Sequence, residues 1–281
     1  MKNLILCTSL VALCLLSCKQ QPKDIQEETI AKEKRTTVEM VTTKGTIILE
    51  LYNETPLHRD NFVKLANEKA YDSLLFHRVI ENFMVQGGDP DSRNAIASDT
   101  LGEGDLPYLV DAEINTTGFH KKGVLGAARD GNLARASSAM QFYIVQGKVQ
   151  NDSLLTIAEG RINGWLGEHY FKNDPVNKPI VEALLKAEKE DDFKVSRAIN
   201  DSIVTLAKLY TNYKRYTIPE AHREIYKTIG GTPHLDQNYT VFGEVIKGLE
   251  IVDSIATSPT NSLDRPLNDI RILRVRVLND K

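Results

Sequence analysis

Apolar and polar residues alternate near both ends of the chain, which is the pattern of half-buried β-strands. Two alternating runs between residues 37 and 52 flank Lys44 and Gly45, so a β-hairpin is predicted there. Thr55 as N-cap and Pro56 as first helical residue then predict an amphipathic helix of about 14 residues. Further strands are predicted at residues 74–80, 83–87, 123–128, 140–146, 239–244 and 270–278, with a short helix at 246–256. Many short strands separated by glycine-containing loops indicate a mainly β, closed barrel.

The interval 148–230 has a different pattern. Apolar residues recur there at helical spacing, first around 180–185 and then around 199–210. Another helical stretch begins at Pro219 and ends at the glycines 230 and 231. The interval is therefore predicted to be a helical insertion in the β domain.

Residues 1–17 have the features of an export signal. Lys2 precedes an apolar run from residue 4 to residue 16, and that run is too short to span a bilayer of about 30 Å as a stable anchor. The Leu-Leu-Ser-Cys sequence that ends at Cys18 resembles the lipobox of bacterial lipoproteins. This implies a lipid on Cys18 and a bacterial cell-envelope location, facing the periplasm, with a plain signal peptide cut near Ser17 as the alternative.

The cysteines and the segment that follows them agree with export. All three cysteines lie in this N-terminal segment, at Cys7, Cys14 and Cys18. The mature domain is therefore expected to reach an oxidising compartment without a disulfide. Residues 18–36 are polar and charged and are predicted to form a tether between the lipid and the folded domain.

Composition excludes several classes of protein. With 41% hydrophobic and 26% charged residues among 281, the chain is that of an ordinary globular protein. A formal net charge of −3 and the lack of basic runs interleaved with aromatic residues disfavour a nucleic-acid partner. The six histidines have no metal-ligand spacing, and nucleotide-binding motifs are missing, so neither a metal nor a cofactor is expected.

Three sequence blocks resemble the cyclophilin family of peptidyl-prolyl isomerases. Residues 76–89 are similar to F-H-R-x-x-x-x-F-x-x-Q-G-G-D, residues 123–144 to G-x-L-x-M-A … S-x-x-Q-F-F-I, and residues 235–243 to L-D-x-x-x-T-V-F-G. The blocks occur in the family's order. The resemblance implies an eight-stranded antiparallel barrel capped by two helices, formed by residues 37–147 and 231–281. It also implies a surface groove that binds an Xaa-Pro segment.

Arg78 is the candidate catalytic residue. It stands close to Phe83 and Met84 in the sequence, and burying a guanidinium without a partner costs several kcal/mol, so a partner from outside is expected. The resemblance implies that Arg78 donates a hydrogen bond to the prolyl nitrogen. The residues that it implies for substrate binding are His77, Phe83, Met84, Gln86, Gln141, Tyr143, Leu235 and Tyr239. Among these, His77 would point away from Arg78 in a strand and is expected to be a structural hydrogen-bonding residue.

The chain departs from the family pattern at five positions, which are Ala127, Arg129, Tyr143, His234 and Tyr239. His234 stands where many members have a tryptophan that helps to bind cyclosporin, so sensitivity to that drug is not implied. The predicted function is isomerisation of Xaa-Pro bonds in exported proteins. Two alternatives stay open: a chaperone or envelope assembly partner that binds proline segments, and a structural lipoprotein with a vestigial groove.

Overall fold

The computed structural model describes residues 34–278. The predicted signal sequence, the predicted lipidation site Cys18 and residues 18–33 of the predicted tether lie outside these residues. The strands are β1 (Thr36–Thr42), β2 (Gly45–Leu51), β3 (Arg78–Ile80), β4 (Met84–Gly87), β5 (Leu109–Val110), β6 (Val124–Ala127), β7 (Ser137–Ser138), β8 (Phe142–Val145), β9 (Val241–Lys247) and β10 (Ile272–Leu278). The α-helices are α1 (Pro56–Asn67), α2 (Asp152–Asn173), α3 (Lys178–Lys189), α4 (Phe193–Ala207), α5 (Glu220–Thr228) and α6 (Leu249–Ala256).

Eight strands within the described range form one antiparallel sheet, in the order β10-β1-β2-β9-β6-β8-β4-β3. The two edges of this sheet approach each other, because Leu75 bridges to Arg271 just outside β3 and β10. The backbone N–H of Phe76 also donates to the carbonyl oxygen of Ile270 at 2.9 Å. The sheet therefore curves round into a barrel, and the predicted eight-stranded antiparallel architecture is confirmed.

Alternating side chains of β1 and β2 point into the barrel and form its core. The inward residues of these two strands are fully buried, namely Val38, Met40, Ile47, Leu49 and Leu51. Phe62 and Leu65 of α1 join the same cluster, as do Val252 and Ile255 of α6. Since each fully buried apolar side chain contributes about 1.5–3 kcal/mol, α1 and α6 are held on the barrel by packing. They are the two predicted capping helices.

The start of α1 is stabilised by a residue distant in sequence. Pro56 is the first helical residue, as predicted, but the side chain of Thr55 makes no capping hydrogen bond. Instead, the carboxylate of Glu113 accepts hydrogen bonds from the backbone N–H groups of Leu57 and His58, each at 3.0 Å. A carboxylate at this end of a helix also complements the helix dipole. Thr55 is thus the N-cap residue, as predicted, but the Glu113 carboxylate accepts the hydrogen bonds that an N-cap side chain usually accepts.

Helices α2 to α5 lie within the predicted insertion and pack against the barrel. α2 and α5 share a buried cluster that includes Leu155, Ile162 and Tyr226, and Phe119 of the barrel packs against it. A second cluster, containing Phe171, Leu184, Ile203 and Ala207, joins α2 to α3 and α4. In the described residues no helix has both the length and the apolar character that crossing a membrane requires.

Candidate active site

The pairing of four strands places a row of residues on one face of the barrel. Arg78 of β3 pairs with Gln86 of β4, and Gln86 pairs with Tyr143 of β8. Tyr143 in turn pairs with Gly126 of β6. Because directly paired residues point to the same face of a sheet, the side chains of Arg78, Gln86 and Tyr143 lie side by side. Met84 shares this face with Gln86, as strand parity predicts.

A cavity of about 160 Å³ lies over this row. We call it the proline cavity, after the Xaa-Pro segment that the sequence resemblance implies for this groove. Its walls are formed by Arg78, Phe83, Met84, Gln86, Ala128, Arg129, Tyr143, Leu235 and Tyr239. The structure thus brings together Arg78 and six of the eight residues that the sequence indicated for substrate binding. The two that do not line this cavity are His77 and Gln141.

Arg78 lies at the mouth of the proline cavity. Its Nη1 donates to Oε1 of Gln86 at 3.3 Å, and its Nε lies 3.7 Å from a carboxylate oxygen of Asp264. The side chain is 44% exposed, so the expectation of a guanidinium buried among apolar residues was wrong. An exposed ion pair at this distance is weak because water screens it. The guanidinium is therefore oriented but still accessible to a ligand.

A chain of amide hydrogen bonds supports Gln86 from behind. Gln86 Nε2 donates to Oε1 of Gln141 at 3.0 Å. Gln141 Nε2 donates in turn to the carbonyl oxygens of Gly102 and Gly104, at 2.9 and 2.8 Å. Gln141 is buried behind Gln86 and does not line the cavity, so its predicted role in substrate binding is replaced by a supporting role. Through Gln86 it fixes the acceptor that orients Arg78.

His77 is separated from the proline cavity. It is buried, and both of its ring nitrogens have no hydrogen-bond partner among the described residues. Burial lowers its pKa to about 4, so the imidazole is neutral near pH 7. His77 is therefore neither a cavity residue nor the structural hydrogen-bonding residue that the sequence suggested. The His77 ring is packed in the protein interior as a neutral side chain.

A buried hydrogen-bond network lies beneath the floor of the proline cavity. The hydroxyl of Tyr143 is 2.8 Å from Nε2 of His120, and Nδ1 of His120 is 2.8 Å from Oδ1 of Asp236. The hydroxyl of Tyr226, in α5, donates to the other oxygen of Asp236 at 2.8 Å. In a neutral His120 ring the proton lies on Nδ1, so Nε2 accepts from Tyr143. The insertion therefore reaches the cavity floor through Tyr226.

The network requires a glycine opposite Tyr143. A methyl group at Gly126 would overlap the Tyr143 ring, including its hydroxyl. Burial raises the pKa of Tyr143 well above its ordinary value, so the hydroxyl stays protonated. The sequence carried one signal of this arrangement, since Tyr143 stands where many cyclophilins have phenylalanine. The partners of that hydroxyl come from three separate segments and were not predicted.

Aromatic residues form the rim next to Phe83. The His234 ring stacks on Phe83 with centroids 5.6 Å apart, and Trp165 of α2 meets His234 edge-on at 6.4 Å. Burial, and after it the charge of Arg161, lowers the pKa of His234 to about 4. His234 is thus a neutral aromatic wall near pH 7.

A Ser–His–Glu arrangement occurs elsewhere in the barrel but is closed to substrates. His58 lies 3.0 Å from the Ser137 hydroxyl and 2.7 Å from the Glu113 carboxylate. Ser137 and His58 are buried, and the space beside His58 is about 10 Å³. The arrangement supports the start of α1. Over the part of the chain that the structure describes, no cluster of three metal-ligating side chains occurs.

Comparison with known proteins agrees with this architecture. The family model described as "Cyclophilin type peptidyl-prolyl cis-trans isomerase/CLD" matches residues 37–162 and 190–277. A Staphylococcus aureus (strain USA300) protein, provisionally named a peptidyl-prolyl cis-trans isomerase, is 31% identical over 242 residues, which are 85% of this chain and 90% of the relative. A Staphylococcus epidermidis protein with the same provisional name is 30% identical over 260 residues, 92% of this chain and 96% of the relative.

A solved structure shows the same fold. The crystal structure of a cyclophilin type peptidyl-prolyl cis-trans isomerase from Cryptosporidium parvum has a TM-score of 0.50 and 17% identity, and the match covers 88% of this chain and 100% of that chain. The chain belongs to the cyclophilin-type peptidyl-prolyl cis-trans isomerase family. It is an enzyme of that type.

Proposed function

We propose that this isomerase acts on Xaa-Pro bonds of exported proteins and assists their folding, with Arg78 as electrostatic catalyst. The observation that carries the catalytic part is the position of the Arg78 guanidinium at the mouth of a cavity of about 160 Å³ with an apolar floor. Rotation about a peptide bond breaks no bond, so the reaction needs no nucleophile, metal or cofactor.

The energetic demand on Arg78 is modest. Partial double-bond character gives the uncatalysed rotation a barrier of about 18–20 kcal/mol, which corresponds to a rate on the order of 10⁻² per second. A turnover of roughly 10 to 10³ per second requires the barrier to fall by about 4–7 kcal/mol. A charge-assisted hydrogen bond supplies about 1.5–3 kcal/mol of this. The cavity must supply the rest by fixing the ring and excluding water.

Arg78 stabilises the twisted amide more than the planar one. As the bond rotates, the prolyl nitrogen loses conjugation and its lone pair becomes a hydrogen-bond acceptor. A donation from the guanidinium to that lone pair is therefore made mainly in the transition state, which is the condition for catalysis. The 3.3 Å contact with Gln86 holds the guanidinium in place without neutralising its charge.

The rest of the cavity suits a proline ring. Met84, Tyr143 and Leu235 are nearly fully buried and form its apolar floor, and Phe83 closes one side. A ring seated there would place its nitrogen toward the mouth, where Arg78 lies. Gln86 also lies within this cavity, with its amide oxygen turned toward Arg78.

Turnover of a short peptide with one Xaa-Pro bond tests this function, measured by NMR exchange between the cis and trans forms. We expect exchange at catalytic protein concentration, with a rate that is nearly constant from pH 6 to pH 9. Arginine does not titrate in that range, and His234 beside the cavity, with a pKa lowered to about 4, stays neutral. No acceleration would refute the function, and a steep fall near pH 6.5 would point to a histidine base instead.

The envelope location is part of the proposal and is supported by the sequence pattern around Cys18. A lipid on Cys18 would place the isomerase where exported chains fold. Mass spectrometry of the mature N-terminus tests this, with a Cys18→Ser variant as control. Acyl groups on the wild-type terminus are expected, and an unmodified terminus cut near Ser17 would contradict the anchor.

A second function, binding of unfolded clients or an envelope partner through the insertion, is favoured by its outer surface. Val176, Phe193 and Leu209 are large apolar residues of the insertion that are mostly exposed. Replacing all three by serine should leave peptide turnover unchanged but weaken suppression of client aggregation. Equal suppression by the wild-type and triple-serine proteins would exclude these residues as a client-binding surface.

A further inference from the structure

A second cavity, of about 410 Å³, adjoins the proline cavity, and we call it the basic cavity. The two cavities share Arg129 and Tyr239 as wall residues. The far wall of the basic cavity comes from α2 of the insertion, including Trp165 and His169. A chain seated with its proline in the first cavity would therefore pass the second.

Two arginines line the basic cavity with only neutral oxygens as hydrogen-bond partners. Arg129 donates from Nε to the carbonyl oxygen of Asn238 at 2.9 Å and from Nη2 to the Asn238 side chain at 2.7 Å. It also donates from Nη1 to the carbonyl oxygen of Asp130 at 2.6 Å. Arg135 donates from Nη1 to the carbonyl oxygen of Gln237 at 2.8 Å, while its Nε is buried without a partner among the described residues.

The carboxylates that also line the basic cavity are engaged elsewhere. Glu168 faces Lys172 at 3.8 Å in the same helix. The Asp130 side chain accepts hydrogen bonds from the backbone and the side chain of Asn132, at 2.9 and 2.6 Å. Neither carboxylate forms an ion pair with Arg129 or Arg135 in the described structure. The two guanidinium groups therefore have no ion-pair partner among the described residues, and the charged residues of the cavity wall are three cations and two carboxylates.

The ionisation of neighbouring groups reflects the positive potential. Burial, and then the charges of Arg135 and Arg129, lowers the pKa of His169 to about 4. The pKa of Arg135 is itself lowered by burial and by repulsion from Arg129. A bound anion would relieve this repulsion and satisfy donors that lack a charged acceptor.

We propose that the basic cavity is a specificity subsite for an acidic side chain of the client, close in sequence to the isomerised proline. The inference rests on the proposed function of the proline cavity. Because an extended chain advances roughly 3.3–3.6 Å per residue and the cavities share a wall, the acidic residue lies within about three residues of the proline. The substrate class is thus a proline segment with a nearby aspartate or glutamate.

Pairs of peptides that differ only in glutamate or glutamine test the proposal. Both ends of each peptide are blocked, and the variable residue is moved through the three positions on either side of the proline. We expect the glutamate peptide to have a KM about five- to tenfold lower at one or more positions, the effect of one partly solvated charge-assisted hydrogen bond. The preference should shrink as salt is raised from 0.05 to about 0.5 M.

Two variants separate charge recognition from a change in folding. Arg135→Gln removes one guanidinium outside the proline cavity, so it should abolish the glutamate preference while leaving turnover of the glutamine peptide unchanged. Glu168→Gln removes a competing carboxylate and should increase the preference, a gain that a misfolded protein would not give. Equal KM values for the two peptides at every position in the wild-type protein would overturn the subsite.

Binding can be followed without catalysis. Trp165 is the single tryptophan of the chain and lines the basic cavity, so its fluorescence reports occupancy. Tighter binding of the glutamate peptide with no turnover of either peptide would support the subsite and refute the isomerase assignment. Normal turnover with identical binding of both peptides would refute the subsite alone.

Discussion

Replacing Tyr226 by phenylalanine tests whether the insertion supports the floor of the proline cavity. The change removes one hydroxyl, whose hydrogen bond to the Asp236 carboxylate is 2.8 Å long and fully buried. A hydrogen bond to a charged group contributes about 1.5–3 kcal/mol. His120 still donates to Asp236 from its backbone N–H and from Nδ1, both at 2.8 Å, so the carboxylate is not left unpaired. We therefore expect a loss of about 2 kcal/mol.

The expected loss is large enough to measure. In a domain of this size about 1 kcal/mol changes Tm by roughly 2–4 °C, so Tyr226→Phe should lower Tm by about 4–8 °C. Urea unfolding gives the free energy directly, and peptide turnover should show a KM raised a few-fold because the hydrogen-bonded chain beneath Tyr143 is loosened. Tyr216→Phe is the matched control, since the Tyr216 hydroxyl is buried without a partner among the described residues.

Tyr226→Phe and Tyr216→Phe should differ in stability. The control should be as stable as the wild-type protein or slightly more stable, because it removes an unsatisfied hydroxyl. A Tyr226→Phe protein within about 0.5 kcal/mol of wild type would show that the network does not hold the insertion to the barrel. Equal destabilisation by both substitutions would show that the stability loss does not come from the hydrogen bond between Tyr226 and Asp236.

Two further predictions concern residues inside the barrel, Gly126 and His77. Gly126→Ala should lower stability by about 1–3 kcal/mol and raise KM, because the new methyl group displaces the Tyr143 ring; unchanged urea unfolding and KM would contradict this. For His77, a folded-state pKa of about 4 against an ordinary 6.5 means that only the unfolded chain gains a proton between these values. Its contribution to the free energy of unfolding is complete above pH 6.5 and falls by about 3 kcal/mol as the pH drops to 4. His77→Gln should remove that part of the pH dependence and leave the part that comes from other buried histidines such as His234, and an identical profile in wild type and variant would refute the assignment.

The strands of the barrel could be predicted from the local sequence pattern, because burial of one face of a strand imposes a period of two on its apolar residues. The hairpin of β1 and β2 and the strand β4 follow this rule, and so does the shared face of Met84 and Gln86. The cap of α1 could not be predicted in the same way. Its acceptor is Glu113, which lies more than 50 residues away and reaches the helix only in the folded barrel.

Residues that belong to the family motif could be predicted as site residues from the sequence. The hydrogen-bond and ion-pair partners of those residues could not, because they depend on tertiary contacts. The motif identified Arg78, Phe83, Met84 and Leu235, which line one cavity. The motif has no information on Asp264, whose contact with Arg78 depends on a distant loop. Gln141 is separated from the cavity by its packing behind Gln86, which the motif does not show, whereas strand parity had already placed His77 on the side away from Arg78.

The insertion also makes contacts that its sequence pattern could not predict. Helical periodicity predicted its helices, but nothing in that period indicates which tyrosine meets a buried carboxylate. Tyr226 reaches Asp236 because α5 ends just before the chain re-enters the barrel. The basic cavity likewise exists only because α2 packs beside residues 129–135. These contacts link the insertion to the site, so removing the insertion would also disturb the site.

The most direct test of the central claim is the turnover number of Arg78→Ala on a short Xaa-Pro peptide, with urea unfolding measured on the same sample. Loss of one charge-assisted hydrogen bond to the twisted amide predicts a fall in kcat of at least about tenfold. Because the Arg78 side chain is 44% exposed, the free energy of unfolding should stay within about 0.5 kcal/mol of wild type. Arg78→Lys keeps the positive charge but loses the guanidinium, so its kcat should lie between those of the wild-type protein and Arg78→Ala. A kcat within twofold of wild type, or a loss of activity that only follows a loss of folding, would contradict electrostatic catalysis by Arg78.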